Sequence, residues 1–187
     1  MQYTIIKKIA KGWSSYIWLA KDNTGEKIAI KEVREKSNRK NLAEREGKML
    51  ALANTIGIGP NLREINYEKN HVIYDFIDGE NFLKFVENNG IKKTSKQEIY
   101  EFVKELIRQC LELDKIGLNH TQLQVGKNIM VTKKNGKIFP VIIDFEKASI
   151  RNDGKEKNIG QIESFLLYNP NGFVAKQIRE KLNLVLN

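Results

Sequence analysis

Two hydrophobic periods divide this chain, and their order limits the folds open to it. Up to about residue 76 the apolar residues come in short β-branched and aromatic runs, TIIKKIA, SYIWLAK, EKIAIKEV, LREINY and HVIYDFI, which is the pattern of strands. DNTG at 22–25 predicts a hairpin turn between the second and third runs. Within this part, residues 36–53 carry Leu42, Met49, Leu50 and Leu52 near helical spacing, and GIGP at 57–60 breaks the helix so predicted. After DGE at 78–80 the chain reads as mainly helical. Behind SKQE, which has the form of a capping box at Ser95, the residues Ile99, Phe102, Val103, Leu106, Ile107 and Cys110 make one apolar stripe that Gly117 ends. NIMVTK and IFPVIIDF follow as two strands joined through KKNG, then NIGQIESFLLY and FVAKQIREKLNLVL as helices. The expectation is an α+β fold of about five antiparallel strands with one helix, a common sheet size, followed by a helical part with one hairpin.

No internal repeat or low-complexity linker interrupts the 187 residues, so we expect a single domain, 1–187, built of a β-rich lobe over 1–76 and a helical lobe over 77–187. No apolar run approaches the ~18 residues of a spanning helix, and MQYTIIKKIAKG lacks the apolar core of a signal peptide; both point to a cytoplasmic protein without membrane association. One cysteine excludes a disulfide framework, and His71, Cys110 and His120 are too few and too scattered for a zinc site. A net charge of +9 favours anionic partners such as a nucleotide, RNA or an acidic protein surface, yet the lysines are spread along the chain, as on a solvated surface. Trp13, Tyr16 and Trp18 could stack bases, but aromatics in a strand more often pack.

The candidates for chemistry gain meaning from their order. A Gly/Ser turn between two strands (Gly12, Ser14, Ser15) is followed by a lysine on the next strand (Lys31) and a glutamate on the next helix (Glu46). An asparagine after a polar loop (Asn128) and an aspartate ending an apolar strand (Asp144) complete the set. Phosphate handling needs these types: a cation over phosphate oxygens, a carboxylate to hold its flexible stem, and hard oxygens for a divalent cation.

From about Ile6 to Leu167 this arrangement resembles the protein-kinase-like superfamily. IAKGWSSYIWLA is similar to the kinase glycine-rich loop at Gly12 and Ile17, with Ala10 and Ser15 in place of two glycines. Its serines resemble those of the atypical RIO-type kinases. The resemblance implies that Lys31 neutralises the α- and β-phosphates of ATP, that Glu46 braces Lys31, and that Asp75 and Phe76 in VIYDFIDGE offer backbone groups to adenine. It implies Asp144 and Asn128 as magnesium ligands, with Glu146 in the glycine position of the DFG segment. His120 matches the histidine of the catalytic loop, where we expect a structural residue. The catalytic aspartate is replaced: that position is Gln122, and Gln122 to Asn128 is one residue longer than the kinase spacing, an excess placed at Gly126.

Only about 40 residues follow Asp144 and no APE motif is present, so the peptide platform of large kinases is missing. The shortness resembles the RIO-like kinases, the small kinase subunit of the KEOPS tRNA-modification complex and, most of all, small archaeal serine/threonine kinases. What this implies is a minimal two-lobed kinase-like fold using ATP and Mg2+, with an open phosphate acceptor. Activity is expected to be weak, because Gln122 can orient an acceptor but cannot serve as a base. The alternatives are a nucleotide-binding pseudokinase or ATPase acting as a partner-binding or RNA-associated module, and a small-molecule phosphotransferase; weak RNA association is expected from charge in any case.

Overall fold

The computed structural model describes residues 1–37 and 41–185. The fold is α+β, with an antiparallel sheet first and helices after it. Two compact units divide the chain: one spans Met1–Ile77 and includes Asp144–Glu146, and the other spans Asp78–Ile143 and resumes at Lys147.

In the first unit, strands β1 (Tyr3–Lys11), β2 (Ser15–Asp22) and β3 (Lys27–Val33) form a meander. Asp22 sets its second turn: the carboxylate accepts from the backbone N–H groups of Thr24 (2.9 Å) and Glu26 (3.0 Å), the turn chemistry expected of DNTG. Helix α1 (Leu42–Asn54) then precedes β4 (Leu62–Asn66) and β5 (His71–Asp75), and the sheet order is β1-β2-β3-β5-β4. β3 is buried along most of its length because α1 packs on β3, β4 and β5, while Tyr3 and Trp18 pack on a cluster of Ala20, Ile28, Ile30 and Ile73. The exposed edge strand β1 carries Lys7, Lys8 and Lys11, charges that discourage pairing with another edge.

The helix expected over 36–53 starts later. Lys36 and Ser37 lie outside it, residues 38–40 fall outside the described residues, and α1 begins at Leu42, the first apolar side chain able to reach the core.

The second unit opens with a strand that the sequence reading missed. β6 (Gly79–Asn81) lies where the chain was expected to turn helical, and it adds to β8 (Ile129–Lys134) and β9 (Lys137–Ile142) in a three-stranded sheet rather than a lone hairpin. Helices α2 (Phe82–Glu87) and α3 (Gly90–Lys93) lead into α4 (Lys96–Lys115). Ser95 caps α4: its Oγ accepts from the Glu98 N–H at 3.2 Å and donates to the Glu98 carboxylate at 3.1 Å. The predicted stripe is buried from Ile99 to Cys110 except Ile107, which is half-buried, and Leu113 extends it by a further turn. Each fully buried apolar side chain of this stripe stabilises the fold by roughly 1.5–3 kcal/mol. Cys110 belongs to it as a buried free thiol, whose ionisation is pushed up by burial and then by Asp114.

Gly117 ends α4 at φ +69°, and a Cβ there would lie 2.4 Å from the Arg151 carbonyl oxygen. Beyond it, β7 (Leu118–Asn119) pairs with β10 (Ser149–Ile150). Helix α5 (Lys157–Glu163) passes into a π turn over Ser164–Tyr168, and α6 (Phe173–Leu182) closes the unit. α6 stops short of the expected 186 because Asn183 turns left-handed, φ +60°; residue 186 lies outside the described residues.

Candidate functional site

Lys31 sits mid-strand, between Ile17 of β2 and Val72 of β5, where the sheet fixes its backbone and leaves only the side chain to be aimed. Helix α1 supplies the aim. Glu46 is on its buried face, and its Oε2 lies 2.6 Å from Lys31 Nζ, with the two side chains 2% and 5% exposed. Lys31 Nζ also donates to Asp144 Oδ1 at 2.7 Å and lies 3.4 Å from Glu146 Oε2. Burial alone would lower the lysine's pKa, but Glu46 and then Asp144 outweigh it and raise the value, so the ammonium keeps its charge. Glu46 goes the same way for the opposite reason: burial pushes its carboxyl up, Lys31 pulls it back, and Asp144 and Glu146 push again, leaving it at about 7. Burial also raises the ionisation of the neighbouring Tyr74 phenol, followed by the charge of Glu46.

Asp144 reaches Lys31 from a left-handed backbone, φ +66°, a conformation uncommon for a residue with a side chain. This is why β9 stops at Ile142 instead of running through Phe145 as the sequence suggested. Two residues on, Glu146 accepts from Ser14 Oγ at 3.1 and 3.4 Å, an arrangement that sequence reading missed. Its signal was an acid standing where the motif has glycine. One oxygen from each of Glu46, Asp144 and Glu146 lies within 4.8 Å of the others, and the Lys31 ammonium stands against all three at 2.6, 2.7 and 3.4 Å, so the cation this set holds is the lysine's own.

The Gly/Ser turn is held tightly. Gly12 N donates to Ser15 O at 2.8 Å, Arg34 N donates to Ser14 O at 2.9 Å, and the Arg34 guanidinium donates to the carbonyls of Gly12 (3.2 Å) and Trp13 (3.0 Å). Ser14 and Ser15 are buried, whereas Trp13 is 92% exposed. Arg34 was not among the expected residues; an arginine just past a strand carries no signal of this role. The amides of Asp75 and Phe76 donate inside the sheet, to Asn61 O (2.9 Å) and Lys27 O (3.3 Å). Any adenine contact by these two residues therefore falls to their carbonyl oxygens.

The polar loop of the second unit is built on His120. It is fully buried; its Nε2 donates to Ile143 O at 2.9 Å and its backbone N–H donates to Asn158 Oδ1 at 2.8 Å. Asn158, also fully buried, donates to Leu118 O and to Asp114. Sequence reading passed over it, since one polar residue at the start of a helix has no distinguishing mark. Gln122 precedes a 3-10 turn over Leu123–Val125, and Gly126 follows at φ +70°, where a Cβ would lie 2.6 Å from the Phe165 ring. Across that turn Asn128 Nδ2 donates to the Gln122 carbonyl at 3.3 Å. Of the expected residues, the first unit gathers Lys31, Glu46, Asp144 and, through Glu146, Ser14; the second unit joins Gln122 to Asn128.

No protein-family model matches the chain. The uncharacterized protein MJ1211 of Methanocaldococcus jannaschii is 33% identical over 110 residues, which cover 59% of this chain and 84% of that protein. Among solved structures, the Rio2 kinase–ADP/Mg2+–phosphoaspartate complex from Chaetomium thermophilum superimposes with a TM-score of 0.65 at 16% identity. The match covers 94% of this chain and 61% of the Rio2 chain, so this protein spans somewhat over half the length of that kinase. The chain thus has a RIO-like protein-kinase-like fold and belongs to the same family as MJ1211.

Proposed function

We propose that this protein is an ATP- and magnesium-dependent atypical kinase-like phosphotransferase of low turnover, directed at serine or threonine, with residues 1–187 acting as one kinase-like domain. The observation that carries the reading is the buried Lys31–Glu46 pair at 2.6 Å with Asp144 on the same ammonium. A buried ion pair is a poor way to stabilise a fold, because desolvation offsets most of its attraction. It is a good way to hold a lysine stem so that its charge meets phosphate in one fixed place.

In this reading Lys31 neutralises the α- and β-phosphates, and Gly12, Ser14 and Ser15 line them. The carbonyls of Asp75 and Phe76 meet the adenine edge. Asp144 and Asn128 hold magnesium, which when bound offsets phosphate charge. Gln122 orients the acceptor hydroxyl through its amide and takes no proton. General-base catalysis is typically worth about 10²–10⁴ in rate, whereas phosphoryl transfer depends mainly on positioning and charge neutralisation. Slow turnover is the consequence. The setting is cytoplasmic, and RNA association, if measured, is weak and falls steeply with salt, as expected of dispersed lysines.

The test follows labelled ATP with magnesium, reading label on protein and released phosphate separately. Label on protein supports the kinase, and release alone an ATPase. Because the Rio2 complex contains phosphoaspartate, any labelled protein is also treated with hydroxylamine, which cleaves acyl phosphates and spares serine and threonine esters. Gln122 favours one second reading, a pseudokinase that binds nucleotide and presents a surface to a partner; nucleotide binding with neither label nor release would select it.

A further inference from the structure

Glu146 occupies the partners that the proposed function assigns to phosphate. Its carboxylate lies 3.4 Å from Lys31 Nζ and accepts from Ser14 Oγ at 3.1 Å, and its side chain is 11% exposed. The ammonium and the hydroxyl are themselves buried. A carboxylate and a phosphate both present paired anionic oxygens to such donors, so they compete for them. The kinase pattern has glycine at this position, which offers no such competitor.

Charge makes the competition selective. Around one ammonium stand three carboxylates, Glu46, Asp144 and Glu146, with an oxygen of each within 4.8 Å of the others. A bare phosphate chain entering this surplus of negative charge is repelled at short range and must displace Glu146. A phosphate carrying a divalent cation brings positive charge toward the same carboxylates. Resting on the nucleotide reading above, we propose that Glu146 makes this phosphate site selective for metal-neutralised nucleotide, by holding Lys31 and Ser14 against a bare phosphate.

Calorimetric titration with ADP, in EDTA and separately with magnesium, tests this on wild type, Glu146→Gln and Glu146→Ala. Gln keeps the shape without the charge; Ala also removes an amide that could itself hold Ser14. Wild type is expected to bind magnesium–ADP at least about tenfold more tightly than metal-free ADP. Both variants should bind metal-free ADP about tenfold more tightly than wild type does, with magnesium–ADP changed by about threefold or less, since one nearby charge is removed. If metal-free ADP binds neither variant more tightly than wild type, the proposal is overturned. It is equally overturned if the variants lose magnesium–ADP affinity by about tenfold or more, because Glu146 is then a metal ligand. Failure of wild type to bind ADP in either form would instead remove the nucleotide reading, and this inference with it.

Discussion

Replacing Lys31 by methionine leaves Glu46 with no cation, and the structure sets the size of the penalty. At 2.6 Å the pair attracts by about 6 kcal/mol with an effective dielectric constant near 20, while desolvating the two groups costs several kcal/mol each, so the intact pair contributes little net stability. Removing one partner breaks that balance. Glu46, 2% exposed, must stay charged without its partner or take up a proton, and the expected loss is about 3–5 kcal/mol. Asp144 adds less, because its side chain is 36% exposed and water can reach it. For a chain of this size each kcal/mol lowers the melting temperature by roughly 2–4 °C, which gives a fall of about 6–20 °C.

Circular dichroism melts and urea titrations of Lys31→Met, Glu46→Gln and the double variant measure this directly. Adding Glu46→Gln to Lys31→Met removes the stranded charge and should restore about half or more of the loss. The pH dependence supplies an independent sign. Without Lys31 to pull it down, Glu46 lies further above its ordinary 4.5 than the value of about 7 it has with the lysine present. The folded state then binds the proton more tightly than the unfolded state, so Lys31→Met is more stable at about pH 5.5 than at about pH 8. A loss below about 1 kcal/mol, or no recovery in the double variant, would refute the stranded-carboxylate argument.

Three further outcomes are expected. Gln122→Asp should raise single-turnover phosphotransfer at saturating ATP by at most about 10²–10⁴; a tenfold fall with ATP binding unchanged would show that the amide itself is needed. Gly117→Ala should cost about 2–4 kcal/mol in urea unfolding, since alanine disfavours φ +69° and its Cβ meets the Arg151 carbonyl. Burial, offset in part by Glu64, holds the His71 imidazole below its ordinary 6.5, so the unfolded state protonates first and stability falls as pH drops below that value; His71→Phe, which keeps a ring against Tyr3, should flatten that part of the profile.

Sequence patterning revealed what depends on repeated local signals and missed what depends on one contact. The five strands of the first sheet and the stripe of α4 each place several apolar residues at a fixed period, and all were legible. β6 has three residues, GEN, with no apolar alternation; its strand geometry comes from pairing with Met130, Val131 and Thr132 across the sheet. α6 ends early because Asn183 adopts the left-handed conformation it tolerates, although the apolar pattern continues to Leu184 and Val185. Lys31 and Glu46 were readable as a pair because a strand lysine and a helix acid recur in a known order. The contact of Ser14 with Glu146 joins residues 132 positions apart in the chain and leaves no periodic trace.

The two groups of site residues tolerate change differently, which under the proposed reading bears on how an amide can serve at position 122. The loop around it is tied by neutral partners: His120 to Asn158 and to the Ile143 carbonyl, Leu123 N to Gln161 Oε1, and Asn128 to the Gln122 carbonyl. The last bond uses the backbone oxygen of residue 122, so it makes no demand on that side chain. That bond is therefore the same whether residue 122 carries an acid or an amide. Lys31 has no such freedom, because the carboxylates around it come from two separate parts of the chain: Glu46 from α1, and Asp144 and Glu146 from the segment after β9. Loss of a base costs rate, whereas loss of the buried cation costs the fold. Under the proposed reading, in which Gln122 stands at the position of the kinase acid, nucleotide binding outlasts fast turnover for that reason.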